Sequence, residues 1–229
     1  MKRTLLSIGL LAGVSVAAQG QLAIYTEQPG GATKQGPVPL SAEVVVTSQT
    51  TTAAGSYDKR IAGRFYRDRK GRVRQDTGFS SVIITPGSDT VIQLNHEKRI
   101  AVILRAAPAT KPAEPSDEEK KKALEQFRPE MDLGTKKIDG HTVYGKGSSG
   151  NTREPLSGTM VATSREVWMS KDLQLPLYTK HSAPWGETTQ EYTNIRQGDP
   201  DPGLFEIPEG YTRQETTDPR AIAASTPAP

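Results

Sequence analysis

Residues 131–211 decide the fold, because short extended segments alternate there with turns. This stretch contains LGTKKIDGHTVYGKG (residues 133–147), EVWMSKDLQLPLYTKHSAPWGETTQEYTNI (residues 166–195) and PDPGLFEIP (residues 200–208). Extended segments separated by Gly, Pro and Asp indicate strands joined by tight turns. The strongest turn is Asp139-Gly140, since two residues that tolerate positive φ between extended segments favour a hairpin. The stretch therefore predicts a β-rich domain.

The same pattern extends back to residue 42. In several segments the apolar residues alternate, as Val44 and Val46 do, which turns one face of the strand toward a core. Val82-Ile83-Ile84 and residues 100–104 are continuously apolar, as expected of strands that are buried on both faces or line an apolar groove. The predicted strands are 42–51, 57–67, 72–79, 80–85, 89–94, 98–104, 133–138, 141–146, 160–170, 173–181 and 188–195.

One segment interrupts the strands. Residues 106–116 are an Ala-Pro-Lys linker, and Ser116-Asp117-Glu118-Glu119 is a capping box that begins a short helix over 117–127. A helix laid over one sheet predicts an α+β fold that is mainly β. Residues 19–41 show no periodicity, and we expect residues 213–229 to form a disordered tail after a domain spanning 42–212.

The first eighteen residues predict export. Lys2 and Arg3 precede an apolar run over residues 5–16, and Val16-Ala17-Ala18 offers small residues for cleavage, as in a secretory signal peptide. Without Lys2 and Arg3 the chain has 27 basic and 26 acidic residues, a net charge of +1. We therefore expect a periplasmic or secreted protein with no transmembrane segment in its mature form and no global field that attracts nucleic acid.

The chain contains no cysteine. Disulfides, a thiol nucleophile and a Cys-type metal site are therefore excluded, and we expect no lipid-anchor cysteine. About two hundred mature residues can still fold by burying apolar side chains alone.

Several motifs carry a resemblance. The motifs that carry the resemblance are RFYRDRKGRVRQD (residues 64–76), VIITP (82–86), VIQLN (91–95), GETTQEYTNI (186–195) and PDPGLFEIP. The chain resembles an uncharacterised exported bacterial family of the acidobacterial type. The sheet of that family is similar to the half-barrel of the periplasmic lipoprotein carriers, of the LolA and LppX type. The resemblance covers residues 42–212. It implies a curved antiparallel sheet of about 10–11 strands with a helix against its concave face, which binds acyl chains without a catalytic residue.

Motifs for enzymes lack their structural context. The Gly145–Gly150 pattern has the letters of a dinucleotide fingerprint but no following helix, so a flexible hairpin loop is predicted. Ser149 lacks the second glycine of a nucleophile elbow. His96, His141 and His181 are too far apart in sequence to suggest a metal or triad, and turn or strand-surface positions are expected for them. We predict no enzyme activity, no cofactor and no metal.

The densest charge lies between Lys59 and Arg74, with eight cations in sixteen residues and Asp68 the only anion. Alternation favours a solvated outer face. The alternative is contact with a lipid phosphate or an acidic protein partner, for which the candidates are Arg64, Arg67 and Arg72.

These observations predict an exported, non-enzymatic, monomeric binding or carrier protein for a lipid or an acylated protein. The apolar groove candidates are Val46, Phe65, Ile83, Ile92, Val102 and Trp168. The alternative is an envelope interaction or stress-sensor protein that binds a protein partner through its outer face. A hydrolase is less favoured, and nucleic acid is not expected as a partner.

Overall fold

A computed structural model describes residues 36–52, 55–105, 131–153 and 158–218. Within them, twelve strands form one open, curved sheet. The strands are β1 (Leu40–Thr52), β2 (Gly55–Arg67), β3 (Val73–Thr77), β4 (Ser80–Ile84), β5 (Thr90–Asn95), β6 (Ile100–Arg105), β7 (Met131–Ile138), β8 (His141–Arg153), β9 (Met160–Ser170), β10 (Leu175–Ala183), β11 (Gly186–Gln197) and β12 (Thr212–Thr216). The one helical turn among the described residues is a 3₁₀ turn, Pro202–Phe205.

The sheet consists of two meanders joined side by side. Its spatial order is β12-β6-β5-β4-β3-β2-β1-β11-β10-β9-β8-β7. Strands that follow one another in sequence therefore pair within β1–β6 and within β7–β11, and the two groups meet where β1 pairs with β11. All neighbours are antiparallel except β12, which pairs in parallel with β6.

All eleven predicted strands are present, and their ends differ from the prediction by at most two residues, except that β8 continues seven residues past its predicted end. The predicted Asp139-Gly140 hairpin is confirmed. Both residues have positive φ, at 48° and 79°, and they connect the paired residues Ile138 and His141. This is the geometry of a two-residue turn whose twist matches that of the strands.

Two predictions about irregular segments are wrong. Residues Gly145–Gly150 are not a hairpin loop, because β8 continues through them and pairs with β9 over its whole length. The predicted tail begins too early, because Thr212–Thr216 forms β12. The predicted signal peptide over 1–18 and the predicted linker and helix over 106–127 lie outside the described residues.

The register defines two faces, named here after adjacent residues of β1. Residues directly opposite one another in a ladder share a face, and successive residues alternate. The Val44 face also carries Phe65, Gln75 and Tyr192. The Val45 face also carries Arg64, Arg74 and Trp168, since Val45 pairs with Glu191, Glu191 with Tyr178 and Tyr178 with Trp168.

The main core lies at one end of the sheet. On the Val44 face this core contains four side chains that are each at most 3% exposed, those of Leu40, Val44, Phe65 and Tyr192. Phe65 and Tyr192 meet edge to face with ring centroids 5.2 Å apart. A second core lies on the Val45 face, where Phe205 packs on the side chains of β4–β6.

Candidate functional site

The Val44 face of β3–β6 carries two neighbouring rows of side chains, each running across four strands. In the first row every residue is apolar, and in the second an amide alternates with an aliphatic side chain. The first row is Val73, Ile84, Val91 and Leu104, and the second is Gln75, Val82, Gln93 and Val102.

Burial differs along these rows. Val73, Val102 and Leu104 are buried, whereas Ile84 and Val91 are half-buried, as is Val82. Half-buried aliphatic side chains side by side form a continuous apolar surface that is not fully covered. An apolar surface with a few fixed polar groups is the usual lining of a site for a small apolar molecule.

Two amides on this face keep an unsatisfied polar atom. The Oε1 atoms of Gln75 and Gln190 are buried and have no hydrogen-bond partner among the described residues. Gln190 uses its Nε2 to donate to the hydroxyl of Tyr192 at 2.6 Å. Burial of that hydroxyl raises the pKa of Tyr192, so the phenol stays neutral. The polar groups set among these apolar side chains are therefore uncharged.

The six predicted groove residues do not share one face. Val46, Phe65 and Val102 lie on the Val44 face. Ile83 and Ile92 lie on the Val45 face, where they contact the second core. Trp168 also lies on the Val45 face. By register the six residues are divided between the two faces, while Phe65, Trp168 and Val46 belong to one packed cluster.

The position of Trp168 explains why β8 has a glycine at residue 145. A Cβ at Gly145 would lie 2.7 Å from the Trp168 ring, so the indole lies directly on the Gly145 backbone. The Lys136 ammonium lies 3.9 Å from the ring centroid, a cation–π contact. Trp168 is thus held between Gly145 and Lys136, on the face opposite Val44.

The prediction that Arg67 contacts a phosphate or an acidic partner is wrong. Its side chain is 3% exposed and donates to three backbone carbonyls. Nε reaches Val38 O at 3.0 Å, Nη1 reaches Gln174 O at 2.9 Å, and Nη2 reaches Leu173 O. Burial lowers the pKa of the guanidinium. Arg67 therefore joins the 171–174 turn to the end of β2.

Arg72 is also engaged within the molecule. Its Nε contacts Asp68 Oδ2 at 2.7 Å, and its guanidinium lies 4.6 Å from the ring centroid of Phe205. Of the three candidates, Arg64 alone is exposed on the Val45 face. These three arginines therefore do not form a docking surface.

The Val45 face of β3–β6 is covered by residues 199–211, named here the C-terminal strap. Leu204, Phe205 and Ile207 of the strap pack on Ile83 and Leu94. Arg74 Nη1 donates to Leu204 O at 2.8 Å, and at the beginning of the strap Asp199 contacts Arg69 at 2.7 Å.

A hydrogen-bond network fixes the far end of the strap. Ser81 Oγ donates to Asp76 Oδ1 at 2.5 Å and lies 2.6 Å from His96 Nε2. Because the Ser81 proton goes to Asp76, His96 must donate from Nε2 and accept at Nδ1. Nδ1 lies 2.6 Å from the Tyr211 hydroxyl, which therefore donates. Burial and then the charge of Arg74 lower the pKa of His96.

This contact between a serine and a histidine is not a catalytic pair. Ser81 is fully buried, and its oxygen accepts from both His96 and Arg74 Nη2, the latter at 3.1 Å. A nucleophile needs access to substrate and a free base to take its proton. The network therefore has a structural role that the sequence spacing of the histidines does not reveal.

Other candidate sites are weaker. Within the described ranges, no group of three or more His, Asp or Glu is arranged to hold a metal ion. No helix in that part of the chain is long and apolar enough to cross a membrane. A cavity of about 370 Å³ lies mainly on the Val45 face and is lined by Thr47, Gln49, Asp58, Lys59, Arg60, Glu187 and Thr189. Its lining contains no aliphatic or aromatic residue.

No protein-family model matches the chain, and no curated protein matches it in sequence. Among solved structures, the lipoprotein LppX of Mycobacterium tuberculosis matches 84% of this chain and 98% of its own, with 12% identity and a TM-score of 0.34. A LolA superfamily protein of Nitrosomonas europaea matches 76% of this chain and 91% of its own, with 9% identity and a TM-score of 0.26. The MucA/MucB complex of Pseudomonas aeruginosa matches 73% of this chain and 55% of its own, with 10% identity and a TM-score of 0.38.

The chain is similar to solved structures of the LolA and LppX type, whose half-barrel the predicted sheet resembles. At these identities and TM-scores the likeness concerns the general fold only.

The sequence contains a pattern from which the residues of β4 can be assigned to the two faces of the sheet. In VIITP, a period of two assigns Val82 and Ile84 to one side and Ile83 to the other. The three amides at Gln75, Gln93 and Gln190 have no such signal, because a glutamine in a strand is as compatible with solvent as with a binding surface.

Proposed function

We propose that this protein is a non-enzymatic binding or carrier protein for an apolar ligand, a lipid or an acylated protein, in the cell envelope. The observation that carries this proposal is the pair of rows on the Val44 face of β3–β6. Their aliphatic side chains are contiguous, three of them are half-buried, and the only polar groups among them are amides.

Binding would be driven by removing apolar surface from water. Each Å² of apolar surface that the ligand covers contributes about 25 cal/mol before the entropy of association is counted. The half-buried side chains of Val82, Ile84 and Val91 supply such surface without unfolding any part of the sheet. A bound chain would also provide Gln75 with apolar cover and, where the ligand carries a hydroxyl or amide, with a hydrogen-bond partner.

The chemistry of the site supports binding rather than catalysis. The side chains of the two rows contain no titratable group. The one contact between a serine and a histidine described above lies on the other face, beneath the strap. The expected location in the periplasm or outside the cell supports a lipid as ligand.

The test is analysis of the ligand that purifies with the protein. The full chain is isolated from its host envelope without detergent, extracted with organic solvent and analysed by mass spectrometry. We expect a lipid at a near-stoichiometric amount. Two matched variants locate its position: Val82→Asp on the Val44 face and Val45→Asp on the Val45 face, each replacing a half-buried valine. Lipid is expected to be lost in the first variant and retained in the second.

A protein without lipid, or equal retention in both variants, would contradict the proposal. Capture of a protein partner by a lipid-free chain would instead favour the envelope interaction hypothesis. Thermal unfolding of both variants, followed by circular dichroism, separates loss of ligand from loss of fold.

A further inference from the structure

Strand β2 has a free edge along half of its length. Its residues 63–67 pair with β3, but β3 ends at Thr77, opposite Gly63. Among the described strands, residues 56–62 pair with β1 alone. Alternate residues of an antiparallel strand direct their N–H and C=O groups to each edge. The outer groups of residues 56–62 are therefore open to an additional strand.

This free edge, residues 56–62 of β2, is bordered by two exposed aromatic side chains. Residues 56–60 are all exposed, and Tyr57 retains 59% of its surface. At the Gly63 end of the free edge, Phe79 in the two-residue turn after β3 is likewise 59% exposed. Aromatic side chains are enriched where proteins contact one another. The two rings therefore border a surface that suits a protein partner.

The two faces of the free edge differ in chemistry. Tyr57 and Ile61 lie on the Val44 face, with Lys59 between them. Asp58 and Arg60 lie on the Val45 face. Side chains on neighbouring strands contact the residues directly opposite and diagonal to them. A strand added here places one set of alternate side chains against Tyr57 and Ile61 and the other set against Arg60.

The cavity of about 370 Å³ adjoins the free edge on the Val45 face. Its wall nearest the edge is formed by residues 58–60, and the rest, on β1 and β11, by Thr47, Gln49, Glu187 and Thr189. In peptides that bind by adding a strand, backbone hydrogen bonds provide affinity and pockets for alternate side chains provide specificity. The cavity is in the position of such a pocket, and its lining suits a polar side chain.

The exposed charges beside the free edge are mainly positive. Six charged residues lie on it and in the turn between β5 and β6, which is adjacent because its His96 N–H donates to Phe79 O at 2.8 Å. None of the six forms an ion pair within the part of the chain that the structure describes. Four cations and two carboxylates give a net charge of +2, which favours an acidic partner over a second copy of this edge. The six are Asp58, Lys59, Arg60, Glu97, Lys98 and Arg99.

We propose that the free edge of β2 binds an extended segment of a partner protein, which adds a strand to the sheet and alternates acidic with apolar residues. The acidic side chains face Arg60 and the cavity, and the apolar side chains lie on Tyr57 and Ile61. This interface goes beyond the proposed function and is independent of it, because the lipid is expected on β3–β6. It gives Lys59 and Arg60, two members of the basic cluster in the sequence, a role in binding.

The test uses two synthetic eight-residue peptides labelled with fluorescein, one of alternating valine and glutamate and one of alternating valine and lysine. Fluorescence anisotropy measures their binding to the full chain. We expect the glutamate peptide to bind about tenfold more tightly, as the sum of several exposed ion pairs. Arg60→Glu should remove this preference. Arg213→Glu, which changes an exposed arginine on the edge strand β12, should leave the preference unchanged.

Backbone methylation of the peptide distinguishes an added strand from general electrostatic attraction. Successive residues of a strand direct their N–H groups to opposite edges. Methylation of every valine nitrogen therefore blocks one edge of the glutamate peptide, and methylation of every glutamate nitrogen blocks the other. We expect one methylated peptide to lose binding and the other to retain it. Equal binding of both would contradict an added strand.

Equal affinity for the glutamate and lysine peptides, or binding of neither, would overturn this inference and leave the proposed function intact, since lipid content is measured separately. Loss of the preference in Arg213→Glu would place the peptide on the wrong edge of the sheet. Dimers of the protein alone that Arg60→Glu dissociates, measured by sedimentation equilibrium, would show that a second copy occupies the edge. Circular dichroism checks the fold of each variant, and if Arg60→Glu does not fold, Lys59→Glu carries the test.

Discussion

Strand β4 shows how differently the two faces of the sheet are used. Ser81 and Ile83 point to the Val45 face and are at most 1% exposed, beneath the C-terminal strap. Val82 and Ile84 point to the Val44 face and are half-buried. Residues that are neighbours in the sequence therefore have different roles. Ser81 and Ile83 are covered by the C-terminal strap, whereas Val82 and Ile84 form part of a partly exposed apolar surface.

The charges follow the same division. On the Val45 face, carboxylates pair with cations, as in the contact of Lys180 with Glu187 at 2.7 Å. On the Val44 face, cations have no carboxylate opposite them within the described strands, apart from Lys146 and Asp132 at the edge. The comparison shows that the carboxylates of the described strands are concentrated on the Val45 face.

The largest expected effect tests the end of the Val44 face. Arg67→Ala removes three hydrogen bonds to backbone carbonyls and should lower the free energy of unfolding by about 4 kcal/mol, measured by chemical denaturation. Arg64→Ala, on the same strand but exposed on the Val45 face, should leave the denaturation midpoint unchanged. A small effect of Arg67→Ala would mean that this part of the Val44 face is not a fixed core.

The next effect compares two glycines of β8 on opposite faces. Gly145→Val places a side chain into the Trp168 ring, and we expect a destabilisation of about 2–3 kcal/mol from overpacking. At Gly150, on the Val44 face, an added Cβ has no atom within 4 Å. Gly150→Val should therefore be neutral or slightly stabilising in the same thermal unfolding assay. Equal effects would contradict the division of faces in β8.

A smaller effect tests the strap. Tyr211→Phe removes the hydroxyl that donates to His96 Nδ1 and should cost about 1 kcal/mol. Tyr57→Phe is the matched control, because Tyr57 is 59% exposed. Hydrogen exchange of the strap amides should increase in Tyr211→Phe and not in the control. Unchanged exchange would show that apolar packing alone holds the strap.

The pH dependence gives the subtlest test of the same network. The pKa of His96 is lower in the folded protein than the value of about 6.5 expected after unfolding, so the unfolded chain binds the proton more readily. The contribution of His96 to stability is complete above pH 6.5 and is lost as the pH falls toward the folded pKa. In His96→Gln, the unfolding free energy should vary less with pH over this range, and an unchanged pH profile would refute the assignment.

The strands could be predicted from the sequence because their signals are local. The alternation of apolar residues and turns such as Asp139-Gly140 were sufficient to place eleven of them. The continuation of β8 through Gly145–Gly150 could not be predicted, because it depends on Trp168, which lies opposite on another strand. Strand β12 was missed because its polar sequence, TRQET, gains order from pairing with β6.

The site was less predictable for a related reason. Three register irregularities, next to Asp132, Pro176 and Ser41, change how distant strands align, so the face of Trp168 relative to Phe65 cannot be counted from the sequence. The roles of the cations were equally hidden. Arg67 binds a carbonyl of Gln174, more than one hundred residues away. An arginine near a turn carries no indication of such a partner.

The pairing of β1 with β11 has a consequence for how the molecule assembles. Each meander can form from neighbouring segments, but the contact of Ser48 with Thr188 closes a separation of 140 residues. Long closures of this kind are slow, so we expect the two meanders to form first and to join late. Until then β1 is an open edge that contains Val44-Val45-Val46, the kind of segment from which aggregation starts. The interval between synthesis of β1 and arrival of β11 is therefore the period in which this protein most needs protection by a chaperone.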